Sequence, residues 1–114
     1  MERKAGVEAS RVFEMASLVE YGEGAVVSRT LLDGEAGSVT LFAFDAGEGL
    51  SEHSTPFDAL VLVIDGEGEF TIGGEPLSVR DGELILMPAG IAHAVRADVR
   101  MKMVLTMIRD ESEG

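Results

Sequence analysis

Cysteine is absent from the 114 residues, which removes disulfides, thiolate metal sites and thiol nucleophiles together. Tryptophan is absent too, tyrosine occurs once and histidine twice, so imidazole chemistry has to use His53, His93 or both. Basic residues are scarce: nine stand against twenty-one acidic ones, a formal net charge of −12. A surface with that balance repels phosphate backbones and anionic lipid, which argues against nucleic acid and membranes as partners. No apolar run approaches the roughly eighteen residues of a membrane helix. The opening Met1-Glu2-Arg3-Lys4-Ala5-Gly6 has charges but no apolar stretch behind it, unlike a signal peptide. A cytoplasmic location is the resulting expectation; the lack of cysteine is compatible with it without requiring it.

What is present is apolar. Such residues make up 46% of the chain, too many for disorder, and the length suits one domain. A chain of this size buries roughly 65% of its unfolded surface, enough for one core. Between Ser10 and Val19 the apolar residues Val12, Phe13, Met15, Ala16, Leu18 and Val19 recur at helical spacing. This predicts a short helix with Ser10 as its cap, ending near Gly22 and Gly24. We therefore expect an N-terminal segment over 1–24, its first nine residues frayed, and a β domain over 25–110.

Beyond residue 24 the pattern is strand and turn. Segments 25–33 and 38–45 are rich in β-branched and aromatic residues, with Asp33-Gly34-Glu35-Ala36-Gly37 as the turn between them. Gly66, Gly74, Gly82 and Gly90 follow at a spacing of eight, in the dipeptides Asp65-Gly66, Gly73-Gly74 and Asp81-Gly82. Glycine supplies the positive φ that tight antiparallel turns need. Short strands at fixed spacing predict a β-sandwich or small barrel. The segments 39–44, 59–64 and 103–108 are apolar at nearly every position, whereas a sheet with one wet face alternates. Such strands need cover on the outside as well as inside. Either the chain's own N-terminal segment or a second copy supplies it, and we expect a homodimer.

The two histidines sit in suggestive surroundings. Gly47-x5-His53-Ser54-Thr55-Pro56 runs on through Asp58 to Gly66, and Gly82-x5-Pro88-Ala89-Gly90-x2-His93 follows. The pair resembles the two motifs of the cupin family, Gly-x5-His-x-His-x3or4-Glu-x6-Gly and Gly-x5-Pro-x-Gly-x2-His-x3-Asn, over roughly residues 38–108. The resemblance implies an all-β double-stranded β-helix, a jelly-roll barrel preceded here by the short helix. It also implies a site at the barrel mouth, where members with the full pattern hold a divalent metal with three His and one Glu. Metals such as Mn, Fe, Ni and Zn suit that donor set.

On this pattern His53 and His93 take the first and last ligand positions. Thr55 stands where the second histidine belongs, and the acidic ligand falls at Ala59 or Leu60. Asp58 is one residue off and turned away by strand alternation, Glu52 is the other nearby carboxylate, and Ala97 replaces the closing asparagine. Two imidazoles without an anion form a weak site, so any Zn, Ni, Fe or Mn is expected to be loosely held. The candidate ligand pocket comprises His53, Thr55, Phe57 and His93. Arg29 is either a carboxylate-binding group inside the barrel or a partner for the acidic outer surface. Met87, Met101, Met103 and Met107 are core filler that can also line an apolar cavity. The expected function is a small-molecule-binding or sensing domain with a degraded metal site. The alternative is a metal-dependent enzyme of dioxygenase or isomerase type.

Overall fold

The computed structural model describes residues 3–109, so the outermost ends of the two expected segments, residues 1–2 and 110, lie outside it. Among the described residues, ten antiparallel strands follow one another: β1 (Lys4–Ala5), β2 (Val26–Asp33), β3 (Gly37–Phe44), β4 (Gly49–His53), β5 (Phe57–Asp65), β6 (Glu67–Ile72), β7 (Glu75–Arg80), β8 (Leu84–Met87), β9 (His93–Arg96) and β10 (Met101–Arg109). They form a six-stranded sheet in the order β1-β2-β3-β10-β5-β8 and a four-stranded sheet in the order β4-β9-β6-β7. This is the expected jelly roll. Gly66, Gly74, Gly82 and Gly90 all have positive φ, between 75° and 87°, so the spacing of eight did mark the turns. Gly66 carries the chain from β5 in one sheet to β6 in the other.

The core lies between the sheets. Phe44, Ala59, Val61, Val63, Phe70, Met101 and Met103 are almost fully buried there. Alternation sends Leu41, Ala43 and Val104 to the outer face of the larger sheet, where they form a second cluster with Val19 and Leu31. β3 and β10 thus bury apolar residues on both sides, whereas in β5 the inward Ala59, Val61 and Val63 are buried and the outward Leu60 and Leu62 stay exposed.

The N-terminal segment differs from expectation. Met15–Leu18 forms one turn of 3-10 helix and no more. Ser10 is not its cap: it has φ of 62°, and the residue preceding the turn is Glu14, extended and without a side-chain capping bond. Helices this short are marginal unless an apolar face is buried, and Val12 is 95% exposed. The segment instead runs as a strap across β2, β3 and β10, with Leu18, Val19 and Tyr21 against the outer cluster. Within the stretch expected to fray, Lys4 and Ala5 pair with Asp33 and Leu32 of β2.

Polar contacts pin the strap. The Tyr21 hydroxyl donates to Asp65, and its ring lies 5.1 Å from the Arg100 guanidinium and 5.0 Å from the Lys102 ammonium. Lys102 also donates to the Ala16 carbonyl at 2.6 Å. Burial first, and then the Asp65 carboxylate, push the Tyr21 hydroxyl far above its ordinary pKa. Arg29 belongs to the same fastening, since its Nη1 donates to the Leu18 carbonyl and its Nη2 to that of Gly6. Among the described residues no helix is long and apolar enough to cross a membrane.

Candidate functional site

β4 and β9 pair antiparallel, and their register decides the site. Leu50 lies opposite Val95, but His53, not Glu52, lies opposite His93. A bulge between Leu50 and His53 inserts the extra residue, and bulges re-aim side chains in this way. The imidazoles consequently meet edge to face, with ring centroids 4.5 Å apart and planes at 73°. Glu52 stays exposed.

The two rings are held differently. His53 Nδ1 lies 2.8 Å from the Ser51 carbonyl. A carbonyl only accepts, so Nδ1 carries a proton and donates it. His93 is 4% exposed, and its Nδ1 is buried with no hydrogen-bond partner. Desolvation lowers the His93 pKa from the ordinary 6.5, and the neighbouring His53 lowers it further, with weaker opposition from the Ile91 backbone. Both effects keep the ring neutral at pH 7.

Beside the rings is a small cavity of about 60 Å³ lined by Leu50, His53, Thr55, Ala59, Met87, His93, Val95, Met103, Leu105 and Met107. The structure therefore brings together four positions matched on the motif pattern: His53, Thr55, Ala59 and His93. Met87, Met103 and Met107 line the cavity, while Met101 is buried elsewhere in the core, against Gly68. Phe57 is outside the cavity wall, its ring 5.7 Å from the Arg109 guanidinium, although its backbone N–H donates to Thr55 Oγ1 at 2.8 Å. Arg29 is not brought to the cavity. It sits on the opposite side of the larger sheet, where open carbonyls of the strap engage its guanidinium. Leu50, Val95 and Leu105 were not foreseen. Their signal is strand parity, since Val95 is two residues from His93 and Leu105 two from both Met103 and Met107.

The donors present do not fit the three-His, one-Glu set. Thr55 Oγ1 is engaged by the Phe57 N–H, Ala59 has no donor atom, and Asp58 Oδ1 accepts from the Ala89 N–H at 2.9 Å on the outer side. Among the described residues no three His, Cys, Asp or Glu side chains cluster as metal ligands do. A larger groove of about 460 Å³ opens between β7 and β8, but among the described residues its only titratable wall residue is Glu83, which accepts from the Arg80 N–H.

The fold and the paired histidines at the barrel mouth define a cupin barrel, and comparison with known proteins agrees. Residues 40–109 match the family model described as "Cupin domain"; the chain belongs to this family. It is 33% identical over 72 residues to an uncharacterised protein of Streptomyces coelicolor, covering 60% of this chain and 69% of that one. A conserved Streptococcus pyogenes protein of unknown function superposes with a TM-score of 0.90 at 33% identity, over 98% of both chains. A cupin 2 conserved barrel domain protein of Leptotrichia buccalis gives 0.83 at 41% identity, over 85% of this chain. The present chain spans about half of that protein, 47%.

The His93 environment has a consequence for stability. An unfolded His93 takes its proton near pH 6.5, while the folded one resists until lower pH. The unfolded state therefore binds more protons between the two values, and stability falls as pH drops from about 6.5 through the depressed native pKa. Above 6.5 the contribution is complete and flat. Urea midpoints of the wild type and of His93→Asn, measured from pH 7.5 to 5, should diverge as the pH falls, with the wild type losing more. Parallel pH profiles would show that His93 is not the source.

Proposed function

We infer that the barrel binds a small molecule whose single polar group is met by His53 and His93 and whose apolar part occupies the methionine-lined cavity. The observation carrying this reading is the buried Nδ1 of His93 beside that cavity, which makes no well-formed hydrogen bond although the Ile91 backbone lies close to the ring. Buried polar atoms are rarely left unpaired, and each one left so costs about 1–3 kcal/mol. A ligand that supplies the missing hydrogen bond recovers that energy on binding. Neutral His93 and a His53 ring that already donates through Nδ1 match hydroxyl, amide and protonated acid groups better than free anions. Three methionines let the apolar wall adjust to shape. A divalent-metal oxygenase or isomerase calls for an anionic donor, and among the described residues the cavity wall contains none.

The test uses imidazole-ring nitrogen NMR, titrating the folded protein with small phenols, amides and carboxylic acids. A binder should shift the His53 and His93 ring signals. His93→Leu should weaken it about tenfold or more, equivalent to roughly 1.4 kcal/mol, and Arg29→Ala should leave its affinity unchanged. Affinity that survives His93→Leu intact would remove the histidine pair from the reading.

A further inference from the structure

Three of the chain's six methionines line the cavity beside the two imidazoles. Strand register shows how two of them come together. Ala59 on β5 is paired with Met87 on β8 to one side and with Met107 on β10 to the other, so the three side chains make one inward row across the larger sheet. Directly opposed Cβ atoms lie about 4.5–5.5 Å apart, and the methyl group in the middle leaves the two long thioethers room to turn toward the cavity. Met103 belongs to the same face of β10 as Met107 and forms a deeper part of the wall. On the smaller sheet, the bulge in β4 sets His53 against His93. Imidazole nitrogen from one sheet and thioether sulfur from the other therefore border one space of about 60 Å³, and among the described residues no carboxylate joins them.

We propose that this is a binding site for monovalent copper, with His53 and His93 as nitrogen ligands and the Met87 and Met107 thioethers as sulfur ligands. Thioether sulfur is soft and uncharged, and it selects Cu(I), which imidazole also suits. A buried apolar wall penalises charge. A single positive charge is penalised less than the double charge of Zn²⁺ or Ni²⁺, which therefore stay weak here. His53 is arranged as metal-bound histidines usually are: its Nδ1 donates to the Ser51 carbonyl at 2.8 Å, which fixes the ring and leaves Nε2 for the ion. His93 brings a buried polar ring to the same wall, a cost that core filling by methionine does not explain. The net charge of −12 draws cations toward the mouth without supplying a ligand. Ala59 stands where the three-His, one-Glu set has its acid, and the sulfurs come from its two cross-strand neighbours, so donors and ion both differ from that set. The site does not rest on the small-molecule reading, which needs His93 and an apolar wall but no sulfur.

The experiment is an anaerobic titration of the full chain with Cu(I), buffered by a chromophoric chelator such as bicinchoninate. One equivalent should bind, at least about 100-fold more tightly than Zn²⁺, a margin of two decades in Kd. X-ray absorption at the copper edge should show sulfur as well as nitrogen around the ion, and copper–selenium scattering once the methionines are replaced by selenomethionine. Met87→Leu with Met107→Leu keeps volume and apolar character, so the fold should hold, while Cu(I) affinity should fall at least about tenfold for each sulfur removed. Leucine spares both histidines and the apolar wall, so small-molecule binding should survive in this variant and the two readings fail separately. Should the variant not fold, the selenium signal from the chain of native sequence decides alone. Cu(I) bound no more tightly than Zn²⁺, a copper environment of nitrogen and oxygen only, or a folded leucine variant with undiminished Cu(I) affinity would each overturn the proposal.

Discussion

Gly66→Val should leave the protein largely unfolded, whereas Gly74→Val and Gly82→Val should only weaken it. All three glycines have positive φ, 75° at Gly66 and 87° at the others, and forcing a branched residue there costs on the order of 1–3 kcal/mol. What separates them is their surroundings. A Cβ on Gly66 would sit 1.9 Å from the Arg100 carbonyl oxygen, while nothing lies within 4 Å at Gly74 or Gly82. The obstacle is backbone leading into β10, and the neighbouring β10–β5 ladder already shifts register between Lys102 and Met103. Neither side can move without opening the crossing from one sheet to the other. The combined penalty should exceed about 4 kcal/mol, a range reached by few single substitutions. Domains of this kind total roughly 5–15 kcal/mol. Urea melts followed by circular dichroism give the ranking, and equal midpoints for the three variants would show that the close approach at Arg100 does not govern Gly66.

The second large effect is on metal affinity. The native pair of imidazoles should hold Zn²⁺ or Ni²⁺ weakly and release it to a chelator with the protein still folded. Thr55→His with Ala59→Glu adds an imidazole and an anionic oxygen at two positions that line the same cavity as His53 and His93. Disturbing even the groups that orient a ligand changes affinity by about 10–100-fold, so two new ligands should tighten binding by at least about 100-fold. There is a counter-effect. Removing Thr55 Oγ1 frees the Phe57 N–H, a loss of about 1 kcal/mol. The longer side chain put in place of Ala59 also has to fit where Met87, Met103 and Met107 now pack. Methionine adapts to such changes better than branched side chains do. Calorimetric titration of both proteins decides the matter. Stoichiometric sub-micromolar binding by the native protein would contradict the weak-site reading and favour a metal enzyme. A folded double variant with no gain in affinity would mean that His53 was wrongly matched to the motif.

Much of the architecture was legible because turns and strand faces are local matters. A spacing of eight between Gly66, Gly74, Gly82 and Gly90 reflects backbone angles that only glycine adopts cheaply, so the turns show in the letters themselves. The same holds for His93, placed by Gly82, Pro88 and Gly90 in a motif with every spacing kept. His53 is a different case. The motif named it, but strand alternation could equally have set Glu52 opposite His93, and the bulge in β4 that chooses between them has no local signature. The N-terminal helix failed for a related reason. Its apolar spacing was real, but Val19 is buried and Leu18 partly buried against the outer sheet face while Val12 projects into solvent. Arg29 followed the strap, drawn to the Leu18 and Gly6 carbonyls.

By itself, then, the sequence determined the fold class, the turn positions, the need for cover on both sheet faces and the two imidazoles available for chemistry. Each of these follows from backbone preference, alternation or residue type, which act over a few neighbours. Only the tertiary structure decided which carbonyls Arg29 meets, how far the strap reaches and why Leu60, Leu62, Leu84 and Leu86 are left bare. It alone set His93 Nδ1 unpaired beside an apolar cavity. Those outcomes depend on contacts between segments distant in the chain, and on a one-residue offset between β4 and β9 that no local pattern records.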